Sequence, residues 1–380
     1  MIARPTIDEE KQHKARQYAR IRRALLLADL GLMALFFIGL LITGASATLR
    51  DIALANSTSL LVVVGIYFVV FYWAYTIVTL PLSLYGGFVV THQFGQSNQS
   101  LDGWFADWLK SVGLGLVMGV FLVEALYVLL ATFPQTWWIP AGIGLTLFTV
   151  VLANLAPVII VPLFYKLQPL ADESLVARLT KLAEKAATKV RGVYTMDMSS
   201  KTNAANAALM GIGNTRRIVL GDTLLKRFTQ DEIETVMAHE LGHHVHADIP
   251  KLIAVQSAIS FVGLYVTNVV LQWGTDALGF GSVSDVAALP LLALTLGLVG
   301  TVTAPIAGAF SRWVEAQADD YALRLTNKPE AFADAMIRLA NQNLTELRPA
   351  RWVEVLLYDH PPVGARIAAA QRFAAGREKG

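Results

Sequence analysis

Cysteine is missing from all 380 residues. That excludes disulfides, and it excludes any metal site built on thiolates. Charge is scarce as well: Asp, Glu, Lys and Arg make up 16% of the chain, against 54% hydrophobic residues. The formal net charge of +2 is too small to attract nucleic acid, and no nucleic-acid partner is expected. Histidine is rare, with seven in total, so imidazole ligands for a metal can only be few. No internal repeat, low-complexity tract or glycine-rich phosphate loop stands out.

The few charges are also segregated. Residues 24–49 contain only Asp29 and residues 111–165 only Glu124, while 52–91, 252–275 and 286–311 contain none. A bilayer-crossing helix needs about 20 apolar residues, so each stretch is long enough to span. The stretch 111–165 suffices for two spans, turned at Phe133-Pro134-Gln135. Six spans are expected, near 24–47, 59–82, 111–132, 138–163, 252–275 and 286–310. A soluble fold would have to bury all of them in one core. Ala45-Ser46-Ala47 resembles a signal-peptide cleavage site, but the apolar run before it is too long for one and reads as a retained anchor.

Lys and Arg set the orientation. Seven lie in 1–23, twelve in 166–251 and ten in 311–380, whereas the connections 48–58, 133–137 and 276–285 carry only Arg50. The positive-inside rule puts both termini and the 166–251 segment in the cytosol, and an even number of spans agrees. The chain thus divides into a basic N-terminus (1–23), a four-span region (24–165), a cytosolic part (166–250), a two-span hairpin (251–310) and a C-terminal helical part (311–380).

The chemistry is concentrated in His239-Glu240-Leu241-Gly242-His243. On a helix, positions i and i+4 share a face, so both imidazoles can bind one ion, with the intervening Glu240 placed to act on a water. This pattern predicts a zinc hydrolase, most often a protease, with one Zn2+ per chain. Thr229 and Glu232 read as a capping box that starts the helix, and Pro250 should follow its end. Just before it, 206–210 and 216–220 read as strands paired across a turn at 211–215. Asp231, Glu232, Glu234 and Asp248 are expected to hold the motif helix out of lipid.

A catalytic zinc usually has three protein ligands. Ten residues after the first His stands Ile249, which cannot bind metal. His246 is about two turns from His239, too far to share one ion, so His244 and His246 read as polar residues near the site. Glu315 is the better third ligand. Asp319 shares its helix face and can accept a hydrogen bond from a ligating imidazole.

From about residue 75 to about 370 the chain resembles the type I CaaX prenyl proteases, integral-membrane zinc metalloproteases whose broader group includes the HtpX-like membrane proteases. The likeness rests on Leu80-Pro81-Leu82-Ser83-Leu84-Tyr85 with Phe88, Phe94-Gly95 with Asn98, and Ala156-Pro157-Val158-Ile159-Ile160. It continues through Pro162-Leu163-Phe164-Tyr165-Lys166, Asn206-Ala207, Arg217-Ile218-Val219-Leu220 and Asp222-Thr223-Leu224-Leu225. The metal motif, Glu315 to Asp319, and His360-Pro361-Pro362 with Arg366 complete it.

The resemblance implies that His239, His243 and Glu315 bind zinc, with Glu240 as catalytic base and Asp319 supporting His239. It implies that Asn206 lies on the strand holding the substrate backbone. His360 and Arg366 are implied to approach the scissile bond and stabilise the oxyanion. The implied fold is mostly α, a multi-pass ring of helices enclosing a water-filled chamber, with a protease domain carrying a small β-sheet on the cytosolic side. Such a chamber would account for Glu124 at mid-span, although a protonated or paired glutamate between helices accounts for it equally well.

Eukaryotic members typically have seven spans where six are counted here. Where the family often has an aromatic and then a histidine after the second ligand, this chain has His244 and Asp248. There is also no C-terminal ER-retrieval signal. These departures suggest a protein of a prokaryotic cell membrane. The expected function is membrane zinc endopeptidase, cleaving peptide or protein substrates near their C-termini, with prenylated C-termini as one substrate class. An HtpX-like quality-control protease would use the same residues. An inactive scaffold or translocon clearance factor should have lost a ligand or the base, and none is missing.

Overall fold

The computed structural model describes residues 4–211 and 216–377. Six of its helices are long and apolar enough to cross a membrane: Glu9–Ile42, Leu60–Gln93, Leu101–Thr132, Trp138–Phe164, Asp248–Ala277 and, within Val286–Thr326, the helix Leu289–Thr326. They form a closed ring. Each packs against the next in sequence order, and the sixth packs back on the first. Even so, between 0% and 39% of each span's apolar window is buried. Much of each span's surface is therefore left open despite its two neighbours.

Two apolar cores hold the fold together. At one end, Phe37, Tyr67, Phe71, Tyr127, Leu130 and Trp137 pack with Leu271 and Leu289, drawing together the ends of five spans. At the other, the core joins helix, sheet and C-terminal residues such as Leu179, Ile218, Leu220, Met237 and Phe332. Glu124 lies beside the first of these cores, half-buried, with its carboxylate against Gly65 of the second span. The second and fourth spans each contain a π-helical turn, Tyr85–Val89 and Ala156–Ile160. Both are near prolines, Pro81 and Pro157, whose missing N–H breaks the regular ladder.

The ends of the spans differ from those read in the sequence. The first was expected over 24–47, but its helix begins at Glu9 and stops at Ile42, where Gly44 takes a φ of 72°. Charge does not end a helix; it ends only the part that lies in lipid. Ala45–Asn56 is a separate helix whose Ser46 is buried between the Tyr67 hydroxyl and the Ala287 carbonyl, each at 2.7 Å. The sixth helix continues without a break to Thr326, so Glu315 and Asp319 ride on the same rod that spans the ring.

The sheet has four strands in the order β1-β2-β4-β3: β1 Leu167–Pro169, β2 Val193–Met196, β3 Ala207–Met210 and β4 Arg217–Gly221. The expected antiparallel pair is present, with Ala207 opposite Leu220 and Met210 opposite Arg217. Its turn at 212–215 lies outside the described residues. β3 is an edge strand, with no strand on its other side among the described residues. The loop after the second span stitches the sheet domain to the ring through an amide pair, Asn98 with Asn203, at 2.8 and 3.0 Å. The start of the first helix lies on the same side, with Asp8 bonded to Asn341, Gln12 to Thr345 and Arg23 to Glu346.

The motif helix, Gln230–Val245, starts with the expected capping box of Thr229 and Glu232 and ends before Pro250. It crosses the sixth span in backbone contact. A Cβ added at Gly242 would lie 3.1 Å from Ala318 Cα and 3.3 Å from its carbonyl oxygen. Gly242→Val should therefore wedge the two helices apart, costing roughly 1–3 kcal/mol. Thermal unfolding would show this as a clear fall in midpoint, with a milder fall for Gly242→Ala; an unchanged midpoint in the valine variant would refute the close contact.

Candidate active site

The motif helix and the sixth span bring three ligating groups to one point. His239 Nε2 and His243 Nε2 are 3.2 Å apart. Glu315 Oε2 lies 3.3 Å from the first and Glu315 Oε1 3.4 Å from the second. Bonds near 2 Å at tetrahedral angles would separate ligands by about 3.3 Å, and each spacing is of that size, with the two imidazoles facing different oxygens of Glu315. The three groups form a cluster able to hold a metal. Glu315 Oε2 is buried and makes no hydrogen bond despite its neighbour. Ligands aimed at a shared point, and not at one another, leave such an orphan.

Each imidazole is held from behind by a carboxylate. His239 Nδ1 is 2.9 Å from Asp319 Oδ1, the partner expected from sequence. Arg366 in turn grips Asp319 with Nε at 2.8 Å and an Nη at 2.6 Å, and the same Nη lies 3.3 Å from His239 Nδ1. His243 Nδ1 is 3.0 Å from Asp248 Oδ2. With Nδ1 engaged in this way, each ring turns Nε2 towards the metal position.

Asp248 was not read as part of the site, and its surroundings correct the role given to the acidic residues of this region. It is only 1% exposed, not solvated. Glu232, at 2%, accepts from Arg338 Nε at 2.8 Å and from the Thr229 N–H at 2.7 Å. Glu234 is clamped between Arg178 and Lys328 at 2.7 and 2.6 Å. Of the four, only Asp231 is exposed. The basic partners of Glu232 and Glu234 are 56 to 106 residues away in sequence, which is why local charge suggested a wet face.

His246 caps the motif helix and packs edge-on against Tyr321, with ring centroids 5.5 Å apart. Neither it nor His244 belongs to the ligand cluster. Ile249 is exposed. His360, from the segment before the last helix, reaches Glu315 Oε1 at 3.2 Å and bonds Asp359 at 2.8 Å.

A cavity of about 520 Å³ opens on this cluster. Its walls include Asn206, His239, Glu240, Met336, His360 and Arg366. Asn206 stands immediately before β3, and its carbonyl extends the ladder by accepting from the Gly221 N–H at 2.9 Å. The start of the edge strand, at Asn206 and Ala207, therefore lies on the wall of the cavity that His239 and Glu240 also line.

The electrostatics are those of a site that attracts cations. Burial works against the charged form of His239, but the carboxylates of Asp319 and Glu315 outweigh it and push the imidazole up to about 9. Burial opposes His243 as well, and Glu315 and Asp248 again win, raising it. His360 is raised to about 10 by Asp359 and then Glu315, against burial. Glu240 is raised by burial, with the two histidines pulling the other way, which moves a carboxylate towards the range of a useful base.

A metal must displace the protons that these rings hold. Below about 9, binding at His239 releases a proton, so apparent metal affinity should fall as pH falls through neutrality. Calorimetry at pH 7 in buffers of different ionisation enthalpy should show proton release on metal binding. A heat independent of the buffer would contradict this protonation pattern.

Comparison with known proteins agrees with this geometry. Residues 169–374 match the model of peptidase family M48, and residues 2–166 match that described as "CAAX prenyl protease N-terminal, five membrane helices". Four of the six spans and the shorter Ala45–Asn56 helix fall within the second match. A Bacillus subtilis protein named "Uncharacterized metalloprotease YhfN" is 31% identical over 363 residues, covering 94% of this chain and 85% of its own. CAAX prenyl protease 1 of Saccharomyces cerevisiae is 27% identical over 312 residues, covering 77% of this chain and 69% of its own. The crystal structure of S. mikatae Ste24p superposes with a TM-score of 0.84 at 23% identity, over 97% of this chain and 92% of that one, and so shares its fold. The chain belongs to peptidase family M48 and is a multi-pass membrane metalloprotease.

Proposed function

We propose that this protease uses one zinc ion, held by His239, His243 and Glu315, to cut peptide bonds near the C-termini of proteins at the membrane. The observation that carries the zinc reading is the convergence of three ligand groups, the two imidazole Nε2 atoms 3.2 Å apart and facing the two Glu315 oxygens at 3.3 and 3.4 Å, backed by a carboxylate on each imidazole. An all N/O set of two histidines and a glutamate suits zinc among the common catalytic metals. When bound, zinc supplies Lewis acidity, polarising the scissile carbonyl and lowering the pKa of a water to about 7.

The residues of the chain do the rest. A substrate strand adds to the free edge at Asn206 and β3, so its backbone is fixed before its side chains are read. Glu240 takes a proton from the attacking water and returns it to the leaving amine. His360 donates to the oxyanion. Arg366 commits Nε and one Nη to Asp319, and its other Nη is left for the same task. Asp319 keeps His239 in its ligating tautomer.

Prenylated C-termini are proposed as one substrate class, supported by the relatives named CAAX prenyl protease 1. The active-site side is proposed to face the cytosol of a prokaryotic cell, supported by 29 of the 31 Lys and Arg in segments 1–23, 166–251 and 311–380 (7 + 12 + 10). In this reading, 24–165 and 251–310 form the chamber wall, and 166–250 and 311–380 carry the catalytic groups.

Glu240→Gln should keep the metal and lower kcat by about 10²–10⁴-fold. Zinc content and cleavage of matched C-terminal peptides, one farnesylated and one not, would be measured side by side. Preference for the farnesylated peptide supports the substrate class. Equal cleavage of both removes it, and cleavage that survives in Glu240→Gln removes the mechanism.

A further inference from the structure

The motif helix breaks at Ala247, a non-glycine residue with a φ of 52°. The break has a consequence for the metal site. It reverses the chain so that Asp248, the first residue of the fifth span's helix, comes back beneath His243. The carboxylate is 1% exposed, and both oxygens are used. Oδ2 meets His243 Nδ1 at 3.0 Å and Oδ1 meets Lys251 Nζ at 3.2 Å. Lys251 also lies 5.9 Å from the Trp313 ring centroid on the sixth span, just before Glu315.

We propose that Asp248 is a positioning residue for the metal: it fixes His243 in the Nδ1–H tautomer, with its lone pair on Nε2, and Lys251 anchors the carboxylate's other oxygen. This rests on the metal reading above and extends it. The two ligating histidines are then held by equivalent devices built from different elements. Asp319 and Arg366 serve His239, while Asp248 and Lys251 serve His243. A carboxylate behind a ligating imidazole fixes the ring and raises its basicity, and loss of such a partner typically costs about 10–100-fold in metal affinity. The competing explanation is structural: Asp248 favours the start of a helix and pairs with Lys251 three residues on.

Metal affinity separates the two. Full-length protein in lipid nanodiscs would be stripped of metal and titrated with Zn2+ against a chromogenic chelator. Asp248→Asn keeps shape and an acceptor oxygen but loses the charge, and should weaken binding about 10-fold; Asp248→Ala should approach about 100-fold. Lys251→Gln leaves the carboxylate on His243 and should cost less than either. Zinc affinity within twofold of wild type in both Asp248 variants would overturn the inference. So would an equal loss in Lys251→Gln, which would assign the effect to the ion pair. If the Asp248 variants do not fold, 15N-histidine NMR of zinc-loaded wild type decides: a proton on Nδ1 of His243 supports the proposal, and metal on Nδ1 overturns it. Wild-type protein that binds no zinc would remove the underlying metal reading itself.

Discussion

The fold turns on one buried carboxylate shared between two imidazoles. Glu315 lies within 3.4 Å of both His239 Nε2 and His243 Nε2, yet it comes from a helix 72 residues further along the chain than His243. That approach requires the motif helix and the sixth span to touch backbone to backbone, and Gly242 permits it. Because the sixth span is continuous from Leu289 to Thr326, the ring sets the position of the third ligand. Membrane architecture and catalytic geometry are therefore one construction.

A cluster this acidic and this buried needs cations. Breaking a buried ion pair by removing one partner typically costs 3–5 kcal/mol, because the charge left behind has no water. Arg366 answers Asp319, Lys251 answers Asp248, and Arg338 answers Glu232. Without a metal, Glu315 is answered by protons on three histidines, His239, His243 and His360. A dication replaces the protons on the two ligating histidines, leaves that on His360, and also satisfies the orphaned Glu315 Oε2. The same physics that holds the site together thus makes it receptive to a metal.

Local pattern made part of this legible in the sequence. Charge-free stretches marked six spans, since lipid excludes unpaired charge whatever the fold. The spacing of His239 and His243, and of Glu315 and Asp319, follows from helical geometry alone. What stayed hidden depended on chain reversals and distant partners. A left-handed Ala247 has no signature in composition, so Asp248 read as a solvated acid instead of a partner of His243. Glu232 and Glu234 read as wet because Arg338, Arg178 and Lys328 lie far along the chain. The helices run past the spans read from charge, since a helix that leaves the membrane continues in water. One signal for Asp248 was available: an acid directly after the motif helix and just before an apolar span, where an unpaired charge would be expensive.

The most direct measurement of the central claim is the position of the metal. Crystals of the zinc-loaded protein, measured on either side of the zinc absorption edge, should give one anomalous peak per chain. The peak should lie about 2.0–2.2 Å from His239 Nε2, His243 Nε2 and a Glu315 carboxylate oxygen. No peak there, or a peak bound by Nδ1 or lacking Glu315, would contradict the account.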